Sequence, residues 1–208
     1  MLSTLSKAGG VPRTFSLCLA STVGSLLVGG TVPETLQAHW LPTVGPDGEY
    51  FVAPVDFKVA GKSVGRPASD YAHSIVDSGT TFTYLPAVAY AQTRDRFLSS
   101  CPWGVCSLRV ARGEYPDDHC YTMSADEALR FHNLTLVFTR WQLDLTPSQY
   151  LYELRLGVRC LGIFDNRHSG VVIGAAAMRG YEVIFDVSMR RLAFIQADCE
   201  AMYHGKQA

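Results

Sequence analysis

Hydrophobic and polar positions alternate along most of this chain with a period of two, the spacing of strands that bury one face. In RTFSLCL, Phe15, Leu17 and Leu19 alternate with smaller or polar residues, and the apolar run GSLLVGG that follows closes on a glycine pair. Val55, Phe57 and Val59 alternate with Asp56 and Lys58 ahead of a turn at Gly61. Leu134, Leu136 and Phe138 alternate with Thr135 and Thr139. Tyr181, Val183, Phe185 and Val187 alternate with Glu182 and Asp186, and RRLAFI follows after a short turn. These runs, punctuated by Gly, Pro, Asn and Asp, predict a mainly β chain rich in hairpins.

Few segments carry the helical period. Pro86 is placed to open a helix, with Ala87, Tyr90, Ala91 and Leu98 on one face and Arg94 and Arg96 toward solvent. Ser124 and Glu127 have the spacing of a capping box for a short helix through Leu129. MRGY, after the small residues Gly174 to Ala177, predicts one more turn. Residues 40–50 and 99–120 read as the long loops, and Trp40, Trp103 and Trp141 as core or loop anchors. No internal repeat or low-complexity tract is present.

Composition narrows the class. The 208 residues are 48% hydrophobic and 18% charged, which suits a packed globular chain. A net charge of −1 argues against a nucleic-acid partner. No apolar run reaches the roughly 18 residues of a membrane span. The six cysteines are even in number and spread along the chain, as a disulfide framework in an oxidising compartment requires. No CxxC is present and the closest pair, Cys101 and Cys106, has no second close pair, so a zinc site is not expected. Asn133-Leu134-Thr135 fits the N-glycosylation pattern. These features predict a lumenal or extracellular protein of the secretory pathway, although the start, MLSTLSKAGG, lacks the apolar core of an export signal.

The candidate chemistry lies in HSIVDSGTTFTYLP. A buried-type strand, His73 to Val76, ends on Asp77, and a second apolar run, Phe82 to Leu85, follows Ser78-Gly79-Thr80-Thr81. A carboxylate at the end of a core strand is costly unless it is hydrogen-bonded. Gly79 allows a tight turn, and the hydroxyls and N–H groups around it can hold the carboxylate ionised in one orientation. Asp-Ser-Gly is by itself an ordinary turn. Its place between two apolar segments, and a second unusual segment at Gly170-Val171-Val172-Ile173-Gly174, point beyond a turn.

With these residues in order, the chain resembles the pepsin-like aspartic protease family, specifically its C-terminal lobe. IVDSGTTFTYLP resembles the second catalytic Asp-Ser/Thr-Gly-Thr segment, VVIG the segment that threads across the active-site loop, and GYEVIFDVSMRRLAFI the closing hairpin. CLGIF, LTLVF and LDLTPSQYLYE fall where the family has strands. RTFSLCL with GSLLVGG resembles the segment crossing between lobes. The plant and protozoan branches are nearest. The resemblance implies one lobe of the bilobal acid protease fold, with residues 1–30 as the crossing segment and 31–208 as the C-terminal lobe.

The same resemblance assigns roles. Asp77 is one of the two catalytic aspartates, Thr80 bonds its carboxylate, Ser78 reaches across the lobe interface, Gly79 permits the turn, Thr81 lies near substrate, and Gly174 lets the threading strand pass behind the loop. Ala175 departs from the acidic or amide residue common after that glycine. The implied disulfides are Cys18–Cys199, Cys101–Cys106 and Cys120–Cys160, among many pairings that six cysteines allow. The implied activity is that of an aspartic endopeptidase on a peptide or protein substrate, without cofactor or metal.

That chemistry needs two carboxylates sharing a proton, and the chain has one Asp-Ser/Thr-Gly. Asp47-Gly48, Asp117-Asp118 and Asp165-Asn166 read as turns. The expectation is therefore the C-terminal half of a bilobal protease, inactive alone, a fragment whose partner is the absent first lobe. The alternatives are a self-pairing homodimer with two copies of Asp77 and a catalytically inactive pepsin-like lobe that binds peptides or proteins.

Overall fold

The period-two segments form strands in the computed structural model, which describes residues 9–30, 38–45, 49–106, 109–110 and 119–205. The chain is mainly β with a few short helices, as the alternation predicts. It divides into two compact units, Met1–Val52 with Met178–Ala208, and Ala53–Ala177.

The first unit is an antiparallel sheet in the order Gly24–Val28, Thr14–Leu19, Tyr181–Asp186, Arg191–Gln196, Trp40–Pro42. Its two central strands are buried on both faces, with Val183, Phe185, Leu192 and Phe194 on one side and Ile184 and Ala193 on the other. Thr14–Leu19 reverses the simple reading of its alternation. Thr14, Ser16 and Cys18 are the buried side, and Phe15, Leu17 and Leu19 are half-exposed. The C-terminal helix, Cys199–Gly205, packs on this strand and is bonded to it through Cys18–Cys199, covering the Cys18 end of that side. The buried polar groups are satisfied in part by the Ser16 hydroxyl donating to Glu182 Oε1 at 2.8 Å. On the neighbouring edge strand Leu26 and Leu27 are exposed. Trp40–Pro42, expected as loop, is instead the opposite edge strand, and Arg191 stacks its guanidinium 4.0 Å over the Trp40 ring.

Asp186 ends a central strand and is buried. Burial raises the cost of its charge, but the Ser188 hydroxyl at 2.7 Å, the Met189 N–H at 3.1 Å and Arg191 Nε at 3.0 Å all donate to it. These donors outweigh burial and hold the carboxyl below its ordinary range. A depressed folded pKa means that the unfolded chain takes up this proton more readily. The stabilisation is complete above the unfolded value of about 3.9 and is lost as pH falls through the folded value. Asp186→Asn is expected to remove roughly 2–3 kcal/mol at neutral pH, less than a fully buried pair because Arg191 is partly solvated. The gap to the native chain should close in urea titrations carried down through that acid range.

In the second unit, one sheet runs Gln142–Leu145, Leu134–Val137, Asp56–Val59, Lys62–Ser63. The tight turn between the last two strands falls at Ala60 and Gly61, whose φ values of 50° and 74° are left-handed. A second sheet runs Leu151–Arg155, Val158–Leu161, Cys120–Thr122, Arg109–Val110, with Cys120 bonded to the directly opposed Cys160. The helix Ala87–Ser99 starts one residue after Pro86. It buries Ala89, Tyr90, Thr93 and Phe97, so Phe97 and not Leu98 completes the inner stripe. The box at Ser124 forms, with the Glu127 N–H donating to Ser124 Oγ and the Ser124 N–H to Glu127 Oε2. Trp103 is no anchor: it stands 94% exposed on the short loop closed by Cys101–Cys106. Residues 46–48, 107–108 and 111–118 of the two expected loops, with Asp47-Gly48 and Asp117-Asp118, lie outside the described residues, as do residues 1–8 of the expected crossing segment.

Candidate active site

Ser74–Asp77 is a strand of alternating burial that delivers Asp77 to its end. The chain turns through Ser78 to Thr81 and returns as Thr83–Leu85. The strand Val172–Gly174 inserts between these two arms. It pairs in parallel with the first, Val172 with Ile75, Ile173 with Val76 and Gly174 with Asp77, and antiparallel with the second through Val172 and Tyr84. Past Gly174 the Ala175 N–H donates to the Thr80 carbonyl at 2.7 Å and the Ala176 N–H to the Thr81 carbonyl at 2.9 Å. The Thr80–Thr81 end of the turn therefore rests on a separate piece of chain.

The carboxylate of Asp77 is held at both oxygens. The Gly79 N–H donates to Oδ1 at 2.9 Å and the Thr80 hydroxyl to Oδ2 at 2.6 Å. Asp77 is half-buried, while Ser78, Gly79 and Thr81 are exposed beside it. The arrangement fixes one orientation of the carboxylate beside exposed residues that a ligand can reach. Four other aspartates among the described residues of this unit are engaged elsewhere: Asp56 by Ser63, Asp70 by Arg66, Asp144 by Thr135, and Asp165 by the Arg167 N–H of its own turn. Tyr71, buried just ahead of the strand, has its phenol pushed up to about 12 by burial and by the charges of Asp56 and Asp70. It stays neutral and is not a proton carrier at ordinary pH.

Two residues to which the sequence reading gave no role brace the base of the loop, Ser74 and the Gly170 that heads the segment singled out there. Ser74 is fully buried; its hydroxyl donates to the Tyr71 carbonyl at 2.7 Å and accepts from the Val171 N–H at 2.7 Å. It stands in for a backbone partner where the threading strand enters. Gly170, at φ 83°, passes so close that a Cβ there would lie 2.7 Å from the Ala72 and His73 carbonyl oxygens. The glycine at the head of the threading segment is a signal that marks Gly170, whereas no local signal marks Ser74, whose partner at Val171 lies far along the chain. Ser74→Ala leaves two buried backbone groups short of a partner and is expected to cost about 2–3 kcal/mol in urea unfolding. A loss too small to measure would show that the clamp carries no weight.

Elsewhere, Cys18 is bonded to Cys199, Cys101 to Cys106 and Cys120 to Cys160. Asn133 is exposed at the entry to Leu134–Val137. Ala175 presents a methyl group where the resemblance leads one to look for a polar side chain, so only its N–H contributes to the loop.

A family model described as xylanase inhibitor C-terminal matches residues 49–196. Aspartic proteinase 39 of Arabidopsis thaliana is 24% identical over 97% of this chain and 43% of its own length. Aspartic proteinase nepenthesin-1 of Nepenthes gracilis is 24% identical over 89% of this chain and 43% of its own length. Gastricsin of Mus musculus is 27% identical over 86% and 44%. The chain thus spans less than half the length of these curated relatives. The crystal structure of basic 7S globulin from soybean superposes with a TM-score of 0.78 at 19% identity, over 97% of this chain and 55% of that one, and shares the fold. The chain belongs to the xylanase inhibitor C-terminal family and is a C-terminal lobe of the pepsin-like aspartic proteinase fold.

Proposed function

We propose that this chain supplies one half of an aspartic endopeptidase site, with Asp77 as one of two carboxylates that share a proton. The observation that carries the reading is the double tether on Asp77, Gly79 N–H on one oxygen and Thr80 hydroxyl on the other, on a loop backed by Gly174. Like charges held a few Å apart cannot both ionise, so one member of such a pair is a base and the other an acid. The base takes a proton from a water, the water oxygen adds to the scissile carbonyl carbon, and the acid protonates the carbonyl oxygen. Collapse of the tetrahedral species then breaks the C–N bond; the amine nitrogen takes the proton that the base removed from water, and a hydroxyl of the tetrahedral species returns a proton to the other carboxylate as the new acid forms. Asp77 cannot fill both roles, and both tethers come from its own loop. The second carboxylate therefore belongs to another lobe, and the isolated chain is inactive.

On this reading residues 1–30 cross from the first lobe and 31–208 form the second, Ser78 faces the opposite loop, and Thr81 lies beside substrate. The three disulfides support an oxidising, secretory compartment. A chimera carrying the first lobe of nepenthesin-1 and this chain as its second lobe tests the assignment. Peptide cleavage at acidic pH that disappears with Asp77→Asn supports it; cleavage that survives the substitution refutes it.

A second reading has its own support. The matching family model is described as a xylanase inhibitor, and Ala175 removes a polar group from beside the loop. A lobe that keeps the fold and binds a peptide or protein without cutting it fits both. A folded chimera that binds a statine-type inhibitor yet turns over no peptide favours this reading. Activity of the chain alone that rises with concentration favours a self-paired homodimer.

A further inference from the structure

We propose that Asn133 carries an N-linked glycan, and that it is attached before the Leu134–Val137 and Gln142–Leu145 strands pair. The sequence holds two asparagines, and only Asn133 is followed by the required pattern; Asn166 is followed by Arg167 and His168.

The folded chain accommodates a glycan at this position. Asn133 is exposed, and among the described residues its side chain makes no hydrogen bond. Its backbone is fixed on both sides, because the His132 carbonyl accepts from the buried Tyr150 hydroxyl at 2.5 Å and the Asn133 carbonyl from the Ala60 N–H at 3.3 Å. A bulky substituent on the amide nitrogen projects from a rigid surface point and displaces no packed group.

The acceptor hydroxyl is placed differently. Transfer to asparagine uses the hydroxyl two residues on to orient the amide. In the folded chain Thr135 is 6% exposed and its hydroxyl donates to Asp144 Oδ1 at 2.7 Å, across the strand pair in which the two residues are directly opposed. The folded hairpin hides what the transferase must grip, while the asparagine itself stays open. The modification therefore belongs to the nascent chain entering an oxidising lumen, where the three disulfides also form.

The reaction balances with a lipid-linked oligosaccharyl diphosphate as donor. The Asn133 amide nitrogen bonds to the anomeric carbon of the first sugar, the bond from that carbon to the diphosphate oxygen breaks, and the lipid diphosphate leaves with the electron pair. The amide gives up one proton to a base of the transferase.

The full chain, expressed behind a cleavable secretion leader in a eukaryotic cell, tests the site. Secreted and retained pools are both taken, and disulfide closure on non-reducing gels marks the molecules that reached the lumen. A mass increment removed by a glycan-releasing amidase, absent in Asn133→Gln and kept in Thr135→Ser, is the expected result. Disulfide-closed chain with an unmodified Asn133 peptide overturns the proposal. Its timing is read separately, by offering unglycosylated chain to microsomal transferase and donor. Reduced, unfolded chain should be modified and the disulfide-closed chain should not; equal modification of the two overturns the ordering.

Discussion

Gly174→Val is expected to dismantle the Asp77 loop while leaving Asp77 itself in the sequence. A Cβ at position 174 would lie 2.7 Å from the Thr80 carbonyl oxygen and 2.8 Å from the Phe82 carbonyl carbon. Both are backbone atoms, one in the turn and one where the chain leaves it, and the Thr80 carbonyl also accepts the Ala175 N–H. Neither can swing aside as a side-chain tip would. Relief requires the threading strand to retreat from the arm it pairs with, which breaks the register that sets Gly174 opposite Asp77. Overpacking of a well-filled interior costs roughly 1–3 kcal/mol and sometimes more; with only main chain to yield, the loss should sit at or above the top of that range. Gly79→Ala is the internal control. Its Cβ would meet only the Asp77 Oδ1 atom, at 3.2 Å, so it should be much milder in stability. Urea midpoints for the two variants separate the outcomes, and equal, small losses would show that the strand does not press on the loop.

Asp77→Ala carries the opposite signature, a large effect on turnover with a small one on folding. In an assembly that cleaves peptides, loss of this carboxylate removes a member of the acid–base pair. The expected fall in kcat/KM is at least about 10⁴-fold. The fold should survive because Asp77 is half-exposed and its two donors, the Gly79 N–H and the Thr80 hydroxyl, sit at a surface where water replaces the lost acceptor. Unfolding free energy should move by no more than about 1 kcal/mol. If the variant instead unfolds, Asp77 is a structural cap on the turn, and the loss of turnover says nothing of chemistry.

Much of the fold is legible because half-buried strands write a period-two pattern. The hairpin at Ala60 and Gly61, the closing hairpin at Tyr181 to Gln196 and the capping box at Ser124 all appear where local chemistry puts them. What local pattern cannot encode is which partner covers a face. Phe15, Leu17 and Leu19 look like the inner side of their strand, yet they are only half-buried, while on the other face the helix at Cys199 arrives from the far end of the chain and covers Cys18. Leu98 and Phe97 are neighbours on one helix, and only the packing of that helix decides which of them is buried. Trp40–Pro42 is too short to show a period and becomes a strand because Arg191 to Ala193 offers it an edge.

The candidate site divides in the same way. A charged residue ending an apolar strand, followed by Ser-Gly-Thr-Thr, marks Asp77 locally as a turn, and the second unusual segment at Gly170 to Gly174 is what points beyond one. The insertion of Val172–Gly174 between the two arms of that loop is a contact across nearly a hundred residues, and no local rule contains it. Ser74 went unremarked for the same reason. A buried serine hydroxyl has a purpose only once the Val171 N–H that it accepts is known to lie beside it.

The most direct test of the account is peptide cleavage at acidic pH by this chain measured alone over a wide range of concentration, and again joined to a first lobe that brings its own aspartate. The account predicts no turnover from the monomer, and turnover after joining that depends on Asp77. A monomer that cleaves peptides at a specific activity independent of concentration would show that Asp77 needs no second lobe, and would contradict it.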